Sequence, residues 1–290
     1  MAKPFDSKEY QDAETWRAKS KQKLLSIGDC ISSWTDICGF GSLLEKNNWD
    51  LNNLQKNDVF HLLSEMHLIA GTAKLINIDP FPNEKIIVLN DGIAGTVDLQ
   101  HIDKLHAHIF LFFFRDLLFT HYRLLQLTKL FGVGVRTILA GGQRVQYSSA
   151  STSGQSSLYY NEESISEFGE RLLNTTFVYN PAEFQMNTAF AKAFTIDSLG
   201  SKQNIKVNGF YIEHDYFTKL QGIADLTVKI SDKTIELLRN NILMFKLSIL
   251  SKETKSMKGL EVVIYHIDKY FIYKEFDGDD LELDMFNQTD

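Results

Sequence analysis

The sequence predicts an α/β protein in which helices pack on one sheet of mixed, mainly antiparallel strand direction. Three observations predict it. β-rich segments alternate with helical stretches along the chain. An Asn-Asp-Gly tract joins two β-branched runs, the signature of an antiparallel hairpin. Finally, 44% hydrophobic residues over 290, with 21 Phe and only 4 Pro, supply the apolar material for a large core.

The elements follow in order. Residues 9–27 carry Trp16, Leu24 and Leu25 among many charges, which predicts a solvated helix ending near Gly28, an N-terminal extension spanning 1–28. Asp29 to Phe40 is short and β-rich and stops at Gly39-Phe40-Gly41 before a helical pattern from Ser42. Between 42 and 76 the strongest run is Val59 to Ile76, with Leu62, Leu63, Met66, Ile69 and Ala70 on one face. Pro80 and Pro82 end that region, and EKIIVLNDGIAGTVDL reads as two strands joined at Asn90-Asp91-Gly92.

A long helix is expected from Asp103 to Leu130, then a strand pair with a glycine bend over Gly132 to Tyr147. Six serines in the ten residues 148–157 read as a loop. Helices at Glu162 to Leu173 and Phe184 to Leu199, and a strand at Asn204 to Glu213, complete a core domain of 29–215. Residues 216–290 are expected to add helices and edge strands, among them Glu261 to Lys274 and Leu281 to Phe286.

Charge and cysteine usage exclude several classes. Thirty Lys+Arg against 37 Asp+Glu, without a basic cluster, argue against stable nucleic-acid binding. Cys30 and Cys38 lie eight apart on one strand, too far to bridge, which fits a reducing compartment. The N-terminus has no apolar signal region, and Ile109 to Phe114 is far shorter than the roughly 20 residues of a membrane span, so a cytoplasmic protein without a membrane partner is expected.

The chemistry centres on two acids. Asp36 ends the first strand, followed by Ile37 and then the Gly39-Phe40-Gly41 turn, whose amides suit a polyphosphate. Asp91 sits at the tip of the next hairpin. Carboxylates on adjacent strand ends can share hard divalent cations, although turn and cap chemistry explains either acid taken alone. His106, His108 and His121 read as core or surface histidines rather than a metal site, and Phe110, Phe112, Phe113 and Phe114 as core packing or a dimer face. Trp34 and Phe40 flank the acid, placed to stack on a base or to be buried.

These residues resemble a known family. TDICGF with Asp36 is similar to the motif that opens class III nucleotidyl cyclase domains, and LNDG with Asp91 to their second metal-aspartate hairpin. VRTILAGG, with Arg136, resembles the next strand pair, and MNTAFAKAFTIDSLGSKQNIKV the Asn-bearing helix, so the resemblance runs over roughly 29–213. It implies a class III cyclase-like sandwich, a homodimer with composite sites, and Mn²⁺ (or Mg²⁺) held by Asp36, Asp91 and the Ile37 carbonyl. Gly39, Phe40, Gly41, Arg136 and Lys192 would then contact the nucleoside triphosphate, with Asn187 acting from the opposing half of the dimer.

Two departures matter. The family's base-selecting Lys is Ile87 here, and its transition-state Arg is Ala191, with Lys192 beside it. Retained metal acids with lost purine determinants look most like the pyrimidine nucleotide cyclases of bacterial Pycsar anti-phage defence, which implies UTP or CTP as substrate and a cyclic UMP or cyclic CMP product. Arg136 would be the cation facing the triphosphate. The alternatives are a catalytically altered dimerisation or nucleotide-sensing module, and a purine nucleotide cyclase. A diguanylate-type polymerase is disfavoured because no GG[DE]EF-like signature occurs.

Overall fold

The structure, a computed structural model, describes residues 17–76, 84–99, 105–145 and 181–286, together with Thr15 and Ile102. These described residues fall into two compact units, one with those up to Gly28 and from Arg144 to Asn187, the other with those from Asp29 to Gln143 and from Thr188 onward. The second unit carries the fold: a ten-stranded, mainly antiparallel sheet with helices.

Strand β1 (Ile27–Cys38) leads through Gly39 into three helices, α1 (Phe40–Lys46), α2 (Leu51–Lys56) and α3 (Val59–Ile76). Asp50 caps α2 by accepting the Asn53 amide at 3.0 Å, one of the orphan donors at a helix start. The expected hairpin follows as β2 (Glu84–Leu89) and β3 (Gly92–Asp98), with Asn90 in left-handed geometry at its turn (φ 55°). Helix α4 (Ala107–Leu130) serves two apolar clusters. Its Phe110, Phe113 and Phe114 pack with Ile31, Val97 and Phe210, while Leu124 and Leu125 pack with Ile37, Ile93, Val135 and Phe40. Those phenylalanines are therefore core.

The expected strand pair over Gly132 to Tyr147 is instead one unbroken strand, β4 (Gly134–Val145). Its two glycines answer to close approach rather than to a bend. A Cβ at Gly141 would lie 2.2 Å from the Asp215 carbonyl oxygen, and one at Gly142 2.5 Å from the Ala189 amide nitrogen. Helix α5 (Thr188–Leu199) follows a short 3₁₀ turn at Ala182–Phe184, and the expected helix at 162–173 lies outside the described residues. The strand expected from Asn204 begins only at Phe210, as β5 (Phe210–Glu213), because Asn204 and Asn208 take positive φ (63° and 61°) that break extended backbone.

After the one-turn helix α6 (Asp215–Thr218) come β6 (Leu226–Ile230), β7 (Thr234–Arg239), β8 (Ile242–Met257) and β9 (Leu260–Ile272), then the one-turn α7 (Lys274–Asp277) and β10 (Leu281–Asp284). The sheet order is β2-β3-β1-β4-β5-β9-β8-β7-β6, with β10 on β9. Strand β9, expected at an edge, is thus interior: β8 pairs it from Leu260 to Ile272 on one side, while β5 pairs Ile264–Ile267 and β10 pairs Lys269–Ile272 on the other. Its pairing with β5 carries the C-terminal meander into the same sheet as Asp36.

Candidate functional site

Strand pairing brings the two acids together. Asp36 stands opposite Gly92 in the β1–β3 register, and the Ile37 amide donates to the Asp91 carbonyl at 3.1 Å. Asn90 Nδ2 donates to Asp91 Oδ1 at 3.2 Å, aligning that carboxylate. Burial first, then Asp197 and Asp91, push the Asp36 pKa up to about 7 against the pull of Arg136. Burial likewise raises Asp91, opposed by its own backbone amide and Asn90. No cation among the described residues bonds either carboxylate, so the pair is a half-buried anionic corner that favours a bound cation.

Beside it, the Cys38 thiol is pushed up to about 12, chiefly by burial, and is an inert neutral group. Both cysteines are free, as their strand spacing requires.

Arg136 corrects an expectation. The resemblance assigns it to the triphosphate, yet Nε donates to Asp197 Oδ1 at 2.5 Å, Nη2 to the Asp197 carbonyl at 3.1 Å and Nη1 to the Ile205 carbonyl at 3.1 Å. Three of its five donors are taken within a buried pair, so it acts on Asp36 at a distance rather than as a free clamp. Lys192 is corrected likewise. Its Nζ lies 3.0 Å from Glu213 Oε2 and 2.7 Å from Asp215 Oδ2, so in this structure it is engaged by those two acids. Glu213 also accepts the Gly141 amide at 3.2 Å and the Asp215 amide at 3.1 Å.

Gly39 holds φ 94°, which only glycine adopts freely, and Gly41 has open space at its Cα. The Phe40 side chain, by contrast, is core and not placed to stack on a base. Trp34, two residues before Asp36 and so on the same face of β1, meets Phe190 and Phe194 of α5 edge to face at 6.1 and 5.3 Å. A Cβ at Gly92 would fall 2.5 Å from the Trp34 ring, so the hairpin can close there only with glycine.

Asn187 lies in the first unit, where its Nδ2 donates to the Glu183 carbonyl at 2.9 Å. His106 and His108 stack at 6.0 Å, with His106 extended at the cap of α4. Among the described residues no group of three His, Cys, Asp or Glu side chains forms a metal cage. Two carboxylates with a nearby main-chain oxygen suit a hard cation that draws its remaining ligands from substrate and water. Sequence reasoning missed Asp197, the acid that fixes Arg136 and loads Asp36; no motif marks it, since its role comes from helix α5 returning over the sheet.

No protein-family model and no curated protein matches the chain. Solved structures do. The guanylyl cyclase Cya2 aligns over 84% of this chain and 93% of its own at 13% identity, with a TM-score of 0.41. The guanylate cyclase domain of RhGC from Catenaria anguillulae, in complex with GTP, aligns over 83% and 97% at 10% identity and 0.42. A bacterial light-regulated adenylyl cyclase aligns over 89% of this chain and 63% of its own at 11% identity and 0.45. No helix of the described residues is long and apolar enough to cross a membrane.

Proposed function

We propose that the protein is a class III-type nucleotidyl cyclase that converts UTP, or CTP, to the 3′,5′-cyclic monophosphate and pyrophosphate, as a second-messenger synthase of anti-phage defence. The observation that carries this reading is the juxtaposition of Asp36 and Asp91 on adjacent strand ends, unmatched by a bonded cation among the described residues. The sequence resemblance supplies the reaction class.

In that reaction the ribose 3′-hydroxyl attacks the α-phosphorus and pyrophosphate leaves, so positioning and charge neutralisation carry most of the rate. Asp36 and Asp91, with the Ile37 carbonyl, would hold Mn²⁺ or Mg²⁺, which when bound acidifies the hydroxyl and neutralises the phosphates. The chain's own part is to hold the acids in register and to fix Arg136 on Asp197. Arg136 then tempers the field at Asp36 without closing on it. The open Gly41 side of the turn leaves room for a phosphate near the α1 amides.

Base preference is proposed from Ile87, which stands where the resemblance places the purine cyclases' Lys and offers a purine no hydrogen-bond donor. Asn187 is proposed to act on the site of a second copy, in a head-to-tail homodimer. Mixing Asp36→Ala with Asn187→Ala protein should then recover partial activity through heterodimers that carry one intact site.

A second reading, a nucleotide-sensing or dimerisation module without catalysis, is favoured by one observation: Arg136 and Lys192 are both spent on internal acids. Incubation of the purified protein with an equimolar mixture of the four nucleoside triphosphates and Mn²⁺, read by mass spectrometry, separates the readings. Cyclic UMP or cyclic CMP supports the proposal, cyclic AMP or cyclic GMP keeps the cyclase and removes the base preference, and no product favours the sensing module.

A further inference from the structure

On the face of the sheet opposite the acids lies a buried histidine that the reaction does not use. His121 of α4 is fully buried, with Nδ1 2.9 Å from Thr137 Oγ1 and Nε2 3.0 Å from the Met285 carbonyl oxygen. Thr137 Oγ1 is in turn 2.9 Å from Thr35 Oγ1. The direction of every hydrogen bond in this series is fixed by chemistry. The Met285 carbonyl only accepts, so Nε2 carries the proton. Burial depresses the ring's pKa to about 4, so near neutral pH Nδ1 is a bare acceptor. The Thr137 hydroxyl therefore donates to Nδ1, and the Thr35 hydroxyl donates to Thr137.

The two threonines are the immediate neighbours of site residues. Thr35 precedes Asp36 on β1 and Thr137 follows Arg136 on β4, and β1 and β4 are adjacent in the sheet. Because side chains alternate, the threonines face α4 while Asp36 and Arg136 point to the other face. A second route from the same C-terminal segment reaches the partner of Arg136. Phe286 meets His266 edge on at 4.7 Å, His266 stacks on Tyr211 at 4.4 Å, and the Tyr211 hydroxyl accepts the Lys206 amide at 2.7 Å, beside the Ile205 carbonyl that receives Arg136. The segment itself is pinned by its pairing with β9 and by the Met285 amide on the Asp268 carbonyl at 2.8 Å.

We propose that His121 is a positioning residue: the one-directional series Thr35–Thr137–His121–Met285 ties the C-terminal segment Leu281–Phe286 to the strands that carry Asp36 and Arg136 and holds the acids in place from behind the sheet. For what those acids do, this rests on the cyclase reading. A core histidine with no such role would be exchangeable for an apolar residue at a cost in stability alone. Here the loss of one hydroxyl removes the side-chain tie between two paired strands beside the site.

The test compares near-isosteric variants. Thr35→Val and Thr137→Val each remove a hydroxyl and keep volume, and they stand in for His121→Phe should that variant fail to fold. The expected result is a folded protein whose kcat falls about tenfold while KM for the nucleotide stays within about twofold, with the Mn²⁺ half-saturation raised. His121→Gln, able to donate and accept, should recover more kcat than His121→Phe. An unchanged kcat with a lower Tm would mean an ordinary core role and would overturn the proposal.

Amide exchange gives a readout without catalysis. In Thr137→Val the amide of Ile37, two residues beyond the Thr35 end of the series and bonded to the Asp91 carbonyl, and that of Met285 at its other end should both exchange faster. Should the unaltered protein form no cyclic nucleotide from any of the four triphosphates, the cyclase reading falls. The exchange pattern then still decides the coupling, and acceleration confined to the residues flanking position 137 overturns it.

Discussion

Two carboxylate clusters in the second unit have similar ingredients and opposite balance. At Glu213 and Asp215 every acid has a donor: Lys192 reaches both, and backbone amides of Gly141 and Asp215 complete Glu213. At Asp36, Asp91 and Asp197 the single guanidinium is spent on Asp197, while burial raises both remaining acids and Asp197 and Asp91 add to the cost of ionising Asp36. Burial is common to both. What separates scaffold from site is whether the folded chain supplies the counter-charge itself. Lys192 of α5 belongs to the balanced cluster, bonded to both Glu213 and Asp215.

The largest expected effect breaks the unbalanced cluster. Asp36→Ala or Asp91→Ala should lower product formation about 10³-fold or more, the scale on which losing transition-state charge stabilisation acts. The melting temperature should hold or rise, since a buried repulsion is removed. Turnover equal to wild type in either variant would sink the assignment. Next, Lys192→Met breaks the balanced cluster. It leaves Glu213, 2% exposed, without its cation and should cost about 3 kcal/mol in urea unfolding. Activity per folded molecule should be kept; its loss would restore Lys192 to the nucleotide. Gly141→Ala sharpens the same cluster from the backbone side. The added methyl meets the Asp215 backbone, which cannot swing away, and about 2 kcal/mol of destabilisation is expected by the same unfolding measurement.

Much of this site is legible in the sequence where chemistry is local. The hairpin at Asn90-Asp91-Gly92, the strand that ends at Asp36 and the helix Val59 to Ile76 each follow from short-range turn signals and periodicity. Other features depend on partners distant in the chain. The two glycines of β4 read as a bend because nothing local reveals the Asp215 and Ala189 backbones pressing on them. Strands β6 to β8 have half-buried alternating patterns with several lysines, for which sheet pairing with β9 decides the outcome. Arg136 reads as a free cation because its partner Asp197 is 61 residues away. Pairwise charge balance is a tertiary property, and it is what assigns these residues.

The smallest expected effect reads the imbalance directly, through pH and without catalysis. Asp36 titrates near 7 in the folded chain against 3.8 for the ordinary carboxyl, so the folded state holds its proton more tightly than the unfolded state. The stability this proton contributes is fully present below about pH 4 and is lost as pH rises through about 7. Asp36→Asn keeps the group neutral throughout. In metal-free buffer the variant should therefore match wild type at pH 4–5 and exceed it at pH 8, by about 1–2 kcal/mol once solvent screening at a half-buried site is allowed for. His121 and His266, both depressed to about 4 by burial, act with the opposite sign, losing stability as pH falls through that value. They are common to both proteins and cancel in the difference. Adding Mn²⁺ at pH 8 should close the gap by binding the wild-type carboxylate, and should do much less for Asp36→Asn. A gap that is flat from pH 5 to 8 would mean that Asp36 is already matched by a cation within the chain, which would erase the difference between the two clusters.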